Sequence, residues 1–310
     1  MHIAVIGGGI AGLVTGYSLQ RDGHQVTLYE QRAGSDTEGA GLTLFGNAFA
    51  ALAEVGLSDV VKDISSGTNV PMHPGQRSPE GRLMLTLPAS SVASLRSVHR
   101  VTLHDLLTSK LDPNTIQRGV RALVAKDGRP RVLVNKTPKD YDLVVVADGL
   151  RSENRKRLGL DTGVSYAGFT AWRGVTASPP DIGNIVGETW GRGSLFGIIP
   201  LINNELYWFG TLTTQANTRF ADEHKAAQKT FGEWHHPIPA CIDATPSENV
   251  IRHDVFELAR PLSTFTRGQV VLVGDAAHAM TPNLGQGAAQ GIEDAVTLAL
   301  LLRNQQHASL

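Results

Sequence analysis

The sequence lacks the features that several classes of protein require. Its 310 residues include a single cysteine, Cys241, so neither an intramolecular disulfide nor a multi-cysteine zinc site can form. No apolar run approaches the ~18 residues that span a bilayer. Lysine plus arginine total 28 and aspartate plus glutamate total 29, so the basic excess of a nucleic-acid binder is missing. We therefore expect a globular cytoplasmic protein without a metal, membrane or nucleic-acid partner.

Glycine, by contrast, is abundant, with 33 residues, and its first cluster has a recognisable pattern. Residues 7–12 read GGGIAG, a G-x-G-x-x-G motif between an apolar run at 2–6 and a helical pattern at 10–22. A second β-rich run at 25–30 ends in Glu30. The order strand, glycine turn, helix, strand predicts a βαβ unit that binds a dinucleotide.

Each residue of this fingerprint has a predicted role. Gly7 permits the tight turn, Gly9 lets a pyrophosphate approach the backbone, and Gly12 lets the helix pack against the strand. Glu30 is expected to accept a hydrogen bond from a ribose hydroxyl. A carboxylate at that position disfavours a 2′-phosphate, so FAD or NAD is expected rather than NADP.

Two further turns follow continuously apolar runs. The run at 143–147 leads into Asp148-Gly149, and the run at 270–273 leads into Gly274-Asp275. Ligands of parallel sheets bind at the carboxyl ends of the strands, so both aspartates are candidate ligand contacts. The last helix, predicted at 287–303, would aim its positive end at whatever the preceding loop holds.

Other segments have weaker signals. We predict a helix from Asn47, acting as its N-cap, to Val55, and another opened by a capping box at Thr102. Residues 66–95 lose periodicity and are expected to leave the first domain. Residues 166–212 are β-rich and are expected to form a second sheet.

Taken together, the motifs resemble those of the class A flavoprotein monooxygenases, the single-component FAD-dependent aromatic hydroxylases with the p-hydroxybenzoate hydroxylase fold. Besides the G-x-G-x-x-G fingerprint and Gly274-Asp275, the matching segments are Gly39-Ala40-Gly41-Leu42 with Asn47-Ala48, Arg100 with Leu103 and Leu107, Asp148-Gly149 with Ser152 and Arg155, Tyr166 to Gly174, and Pro282 with Gly285 to Ala288. The chain departs from the family in having Gly46 where a proline usually precedes the asparagine. It also stops 23 residues after Gly287, where relatives usually continue with further helices.

The resemblance implies an α/β fold, with a Rossmann-like FAD-binding domain and an inserted β-rich substrate domain. The expected FAD-binding segments are 1–70, 97–164 and 251–310, and the substrate domain is expected at 71–96 and 165–250. The residues expected to bind the cofactor are Gly7, Gly9, Gly12, Glu30, Arg32, Arg100, Asp148, Gly149, Asp275, Gly285, Gly287 and Ala288.

The implied activity is the hydroxylation of an aromatic or heteroaromatic small molecule by O2 through a flavin C4a-hydroperoxide, with NAD(P)H as a transient electron donor. No second glycine fingerprint is present, which fits transient binding of NAD(P)H. Pro282 and Gly287 would shape the flavin environment, and no protein nucleophile is required. The candidate substrate contacts are Asn47, Arg173, Tyr207 and Phe209.

Several alternatives stay open from the sequence. The substrate could be non-aromatic, as in an epoxidase, or the protein could bind flavin without turnover. The choice between NADH and NADPH and the association of two copies into a homodimer are not determined. In the run Tyr207-Trp208-Phe209, neighbours alternate between the two faces of a strand, but the pattern does not tell which face lines a pocket. His278 is expected to be structural rather than a catalytic base.

Overall fold

The computed structural model describes residues 1–34, 40–66, 73–86, 88, 93–183 and 185–308, with side chains described as far as residue 304. Gly39 of the predicted flavin segment and the predicted boundary at 70/71 lie outside these residues. The helices are α1 (Ile10–Arg21), α2 (Gly46–Glu54), α3 (Ser58–Asp63), α4 (Arg100–Ser109), α5 (Glu153–Arg157), α6 (Glu223–Phe231), α7 (Ile238–Asp243), α8 (Asp275–His278) and α9 (Gly287–Ala308). The strands are β1 (His2–Ile6), β2 (Gln25–Glu30), β3 (Gly41–Leu44), β4 (His73–Arg77), β5 (Leu83–Thr86), β6 (Arg96–His99), β7 (Ile116–Arg118), β8 (Ala122–Val124), β9 (Arg131–Val134), β10 (Thr137–Asp140), β11 (Leu143–Val146), β12 (Val164–Val175), β13 (Ile185–Trp190), β14 (Ser194–Pro200), β15 (Leu206–Thr213), β16 (Ile251–Leu258), β17 (Thr266–Arg267) and β18 (Val270–Leu272).

The first sheet has six strands in the order β17-β18-β11-β1-β2-β7. All neighbours in it are parallel except β17 and β18. Its central strands are almost completely apolar, because parallel strands covered on both faces exclude water from every position. The first βαβ unit and the two later apolar strands therefore lie side by side, as the sequence predicts.

The second sheet has seven strands in the order β16-β12-β15-β14-β13-β4-β5. It is antiparallel apart from the pair β13 and β4. Helices α6 and α7 cover one of its faces through an aromatic cluster of Trp172, Phe196, Trp208 and Phe231. The predicted β-rich region thus forms one sheet with a helical cover on one side.

A two-stranded ribbon, β3 and β6, connects the two sheets. Leu44 and Val98, on one face of the ribbon, are buried in the core with α1, α2 and α9. On the opposite face, the Gly41 backbone lies against the ring of Tyr207 from β15, and Ser97 donates a hydrogen bond to the carbonyl of Pro200. The ribbon therefore contacts the core of the first sheet and the uncovered face of the second.

Two predicted helix starts are wrong. Helix α2 begins at Gly46 with Phe45 as its N-cap, so Asn47 lies inside the first turn instead of capping it. Helix α4 begins at Arg100, and its N-cap is His99 without a side-chain hydrogen bond, so Thr102 opens no capping box. In both cases a flanking strand determines where the chain turns into the helix, and this tertiary contact outweighs the local capping preference.

The apolar side chains of the last helix are better covered than its sequence suggests. Of its four leucines between 298 and 302, three pack against the core and Leu301 alone is exposed. Helix α9 lies on α1 and α2, which bury these side chains. Within the described residues no helix is long and apolar enough to cross a membrane.

The division into two domains stays a proposal, and the sheets suggest one change to it. Strand Ile251–Leu258 pairs along its length with β12 of the second sheet. We therefore propose that the inserted region continues to residue 258 instead of ending at 250. Strands β4 and β5 also belong to the second sheet, which supports assigning their segment to the insertion.

Candidate cofactor and substrate site

The glycine turn after β1 forms the first part of the site. Gly7 has φ +110°, and a Cβ there would lie 2.2 Å from the Ala147 carbonyl oxygen. A Cβ at Gly12 would lie 1.9 Å from the carbonyl oxygen of Gly7. At Gly9, however, a Cβ would meet no atom within 4 Å. The absence of a side chain at Gly7 and Gly12 thus lets neighbouring backbone segments approach each other closely. Gly9 faces the space in which a pyrophosphate would lie.

Glu30, at the end of β2, holds this turn. Its Oε2 accepts from the backbone N–H of Gly8 at 2.6 Å, and its Oε1 accepts from the N–H of Arg32 at 2.7 Å. From the other side, His104 Nε2 donates to the Gly8 carbonyl at 3.0 Å. The carboxylate is therefore fixed at the position where the fingerprint expects the ribose contact.

Asp148 follows β11 at the same edge of the sheet. Its Oδ2 accepts from the side-chain amide of Asn154 at 2.9 Å, while its Oδ1 is buried and has no partner in the described part of the chain. Burial raises the pKa of this carboxyl, and hydrogen bonds from Ser152 and Asn154 only partly oppose the effect. An acceptor that is buried without a donor is costly unless a ligand supplies one.

Asp275 follows β18 as the first residue of α8. Gly274 before it has φ +58° and ψ −142°, a conformation that only glycine adopts readily. Burial raises the pKa of Asp275, and the charges of His278 and Arg100 oppose this shift. Although part of the residue is exposed, the second aspartate is thus also held at the edge of the sheet, among atoms that partly desolvate its carboxyl.

Arg155 connects the two aspartate turns. Its guanidinium is completely buried, donates to the Leu150 carbonyl at 2.8 Å and the Ala276 carbonyl at 3.1 Å, and forms an ion pair with Asp161 at 2.7 Å. Its neighbours Arg151 and Lys156 are exposed, so Arg155 alone of these three has an internal role. Arg155 joins the segment after β11 to the segment after β18.

The glycine turn, Glu30 and Asp148 border a cavity of about 320 Å³, whereas Asp275 is not among its lining residues. It runs from the glycine turn past Glu30 to Asp148. Several arginines lie around it, and its lining includes Arg32, Arg100, Arg118, Arg121 and Arg151. Backbone N–H groups, a ribose-binding carboxylate and surrounding cations suit the diphosphate and ribose of a dinucleotide.

The N-terminal ends of α2 and α9 meet at the continuation of this site. Asn47 donates from its amide to Gln286 Oε1 at 3.0 Å. Gly285 is left-handed, with φ +64°, and lies against Phe45 and Thr43. The positive end of the long helix α9 thus starts beside the ribbon, with Gly287 and Ala288 in its first turn and Pro282 exposed in the preceding loop.

The second sheet presents its uncovered face to the ribbon. Strand pairing places Arg173 opposite Phe209, and Val175 opposite Tyr207, so these side chains share one face. Trp208 points the other way, into the aromatic cluster, and donates to Thr245 at 2.8 Å. The alternation of side chains along a strand does not tell which face meets which neighbour. The structure shows that Tyr207 and Phe209 face the ribbon, whereas Trp208 faces helices α6 and α7.

The structure therefore brings the predicted residues together in two groups. Gly7, Gly9, Glu30, Asp148 and Gly149 border one cavity, and Arg173, Tyr207 and Phe209 share one face of the second sheet. Sequence reasoning missed four polar residues that hold these groups in place: His104, Asn154, Gln286 and Asp294. His104, Asn154 and Gln286 lie within recognised motifs, at positions that those motifs leave variable. No local signal in one sequence identifies Asp294.

A family model described as FAD binding domain matches residues 1–307. This chain is a member of that family. Aurachin C monooxygenase/isomerase of Stigmatella aurantiaca is 32% identical over 97% of this chain and 80% of its own length. The 2-heptyl-3-hydroxy-4(1H)-quinolone synthase of Pseudomonas aeruginosa is 34% identical with the same coverage. The structure of Klebsiella pneumoniae HpxO with FAD and uric acid superposes with a TM-score of 0.86, at 25% identity, over 98% of this chain and 80% of that chain.

Family membership confirms the predicted fold class and makes the protein an FAD-dependent monooxygenase. The residues around the cavity fit FAD. The unpartnered Oδ1 of Asp148 suits a ligand that donates a hydrogen bond, and the open space at Gly9 suits one that approaches the backbone closely. The individual residue assignments stay predictions.

Proposed function

We propose that this flavoprotein uses NAD(P)H and O2 to hydroxylate a small aromatic nitrogen heterocycle. The observation that carries the proposal is the apolar face of the second sheet, with Tyr207 and Phe209, which the ribbon joins to the core of the sheet that bears the dinucleotide cavity. Two relatives that share a third of their residues with this chain are named for aurachin and quinolone chemistry, which supports a fused or substituted heterocycle as substrate.

Bound FAD would supply the reducing and oxygen-activating chemistry. Backbone N–H groups beside Gly9 would hold the pyrophosphate, and Glu30 would accept from a ribose hydroxyl. Asp275 would accept hydrogen bonds from the ribityl chain. The positive end of α9 at Gly287 would stabilise negative charge on the flavin ring, while Pro282 and Gly285 shape the loop beside it.

The substrate would lie against the face of the second sheet. Tyr207 and Phe209 would contact its aromatic rings and exclude water from them. Arg173 has no hydrogen-bond or ion-pair partner within the described residues, so it is available for an anionic group of the substrate. Asn47, held by Gln286, would contact the substrate from the flavin side.

A substrate screen tests the proposal. The rate at which the FAD-loaded protein oxidises NADH or NADPH is measured without any added compound. It is then measured again with each of a set of hydroxylated quinolones, pyridines and carboxylated benzenes. We expect at least one heterocycle to accelerate oxidation, and 18O from 18O2 to appear in a hydroxylated product. Flavin that neither nucleotide reduces with any compound would contradict the proposal, and an epoxide product would reassign the reaction. A dimeric assembly and a cytoplasmic location stay predictions.

A further inference from the structure

Asp294, in the third turn of α9, contacts both ends of the short helix α8. The first residue of that helix is Asp275, the proposed flavin contact. Its Oδ2 accepts from the backbone N–H of Gly274 at 2.7 Å and from Nε2 of His278 at 2.5 Å. Gly274 immediately precedes α8, and His278 is its last residue. One carboxylate oxygen therefore holds both ends of the four-residue helix that begins with Asp275.

The protonation of His278 follows from this geometry. A carboxylate only accepts hydrogen bonds, so Nε2 of His278 carries the shared proton. Burial lowers the pKa of this imidazole, but the hydrogen bond and charge of Asp294, together with Asp275, outweigh burial and raise it above its ordinary value. Nδ1 is buried without a partner in the described part of the chain, and the ring packs edge-on against Phe265 at 6.1 Å. His278 thus contacts the carboxylate of Asp294 and is influenced by the charge of Asp275.

Close packing and the hydrogen bond from Arg155 to the Ala276 carbonyl also support the turn. Gly274 adopts a glycine-only conformation, and a Cβ there would lie 2.9 Å from the Cβ of Ala11 in α1. Gly291, one turn before Asp294, packs against the same two residues. Helices α1 and α9 thus approach closely here, and the hydrogen bonds of Asp294 fix the angle at which the chain leaves β18.

We propose that Asp294 and His278 are positioning residues of the flavin site, which hold the turn in the shape that aims Asp275 at FAD and thereby determine the affinity for the cofactor. This inference rests on the proposed contact between Asp275 and FAD, but not on the hydroxylation reaction. Neither residue touches the substrate or the reacting atoms in this assignment.

The test measures FAD affinity directly. Apoprotein is titrated into FAD, and the quenching of flavin fluorescence gives the Kd. Asp294→Asn loses the charge that two donors share, and since a charge-assisted hydrogen bond is a strong one, we expect its Kd to rise about tenfold or more. The Kd of the His278→Leu variant should rise by a similar factor. His278→Gln keeps an N–H donor and should recover most of the affinity. The absorption spectrum of the bound flavin should shift in the two weak binders.

Two control variants separate positioning from general stability. Arg303→Gln breaks a two-bond ion pair of α9 with Asp22, the C-cap of α1, nine residues along the helix from Asp294. Glu293→Gln removes the same charge one residue away, where the side chain only accepts from Gln290. Both should keep the wild-type Kd within about twofold, although Arg303→Gln lowers the melting temperature.

The outcomes are distinct. If Asp294→Asn and His278→Leu melt earlier but bind FAD with wild-type Kd and spectrum, the pair is only structural and the proposal is overturned. If Asp294→Asn yields no folded protein, the comparison of His278→Leu with His278→Gln decides. An Asp275→Ala variant that binds FAD normally would remove the basis of the inference. A wild-type protein that binds FAD but hydroxylates nothing would contradict only the proposed function.

Discussion

Three glycines within six residues meet three different surroundings. Gly7 has a left-handed backbone against Ala147, Gly12 touches the carbonyl of Gly7, and Gly9 faces open space with an ordinary φ of −74°. The same residue type is therefore required by conformation, by packing and by the ligand, respectively. Substitutions at these positions should separate folding from cofactor binding.

Gly9→Ala should fold normally and bind FAD poorly. Its methyl group meets no protein atom, so the unfolding free energy of the apoprotein should change by less than about 0.5 kcal/mol. The same methyl group would occupy the space of the pyrophosphate, and the Kd for FAD should rise about tenfold or more. Chemical denaturation and fluorescence titration measure the two quantities. Gly7→Ala is the contrasting variant, because it should destabilise the apoprotein itself.

Asp275→Asn should show how burial of this carboxylate affects folding. Burial raises the pKa of Asp275 in the folded state, so the folded protein binds more protons than the unfolded chain between about pH 4 and the raised pKa. Stability of the wild-type apoprotein is thus lost as pH rises through that window. The variant has no such loss.

We therefore expect the Asp275→Asn apoprotein to unfold at a higher denaturant midpoint than wild type at pH 7, with the difference disappearing below about pH 4. Its affinity for FAD should be at least about tenfold weaker. Identical pH profiles of the two apoproteins would show that burial does not perturb this group.

At the scale of secondary-structure elements, strand β15 has two different faces. Trp208 packs with Phe196, at 5.3 Å between ring centroids, in the cluster under α6 and α7. Tyr207 and Phe209 lie on the opposite face, beside the ribbon. The covering helices thus leave one apolar face available to the cofactor domain.

Two phenylalanine substitutions should separate these faces. Phe231→Ala, in the aromatic cluster, should cost about 3–5 kcal/mol of unfolding free energy, because it leaves a cavity among Trp172, Phe196 and Trp234. Phe209→Ala should cost less stability but raise the KM for the aromatic substrate about tenfold. Denaturation and steady-state kinetics distinguish them. Equal losses of stability with unchanged KM would place Phe209 in the core.

Much of the element order could be predicted from the sequence, because apolar runs that end in glycine or aspartate mark parallel strands and their ligand turns. The helix starts at Gly46 and Arg100 were not predictable, since neighbouring strands determine them. The orientation of Tyr207 and Trp208 was not predictable either, because alternation defines two faces without stating which neighbour each one meets. The contact of Asp294 with Gly274 spans 20 residues and depends on how α9 crosses α1.

At the scale of the whole molecule, the cofactor cavity is assembled from distant segments. Its lining comes from the first turn of the chain, the end of β2, the start of α4 and the segment after β11. Bound FAD would therefore contact segments that are far apart in the sequence but lie beside one another in the first sheet.

Binding of FAD should stabilise the molecule as a whole. At a free FAD concentration of 100 times Kd, the unfolding free energy should rise by about 2.7 kcal/mol, because only the folded chain binds the cofactor. Calorimetry with and without FAD measures the shift. The Gly9→Ala variant, at the same FAD concentration, serves as the control and should shift less. A yellow protein with an unchanged melting temperature would contradict the expected linkage.

The contact between Gly41 and Tyr207 determines the spacing at the centre of the molecule. A Cβ at position 41 would lie 2.3 Å from the tyrosine ring, so a single methyl group would force the ribbon and the second sheet apart. For a substrate ring placed beside this contact, as proposed, the available height would thus be fixed by backbone atoms and one aromatic ring. Tolerance for thicker, non-planar molecules would then depend on position 41 more than on the residues that touch the substrate.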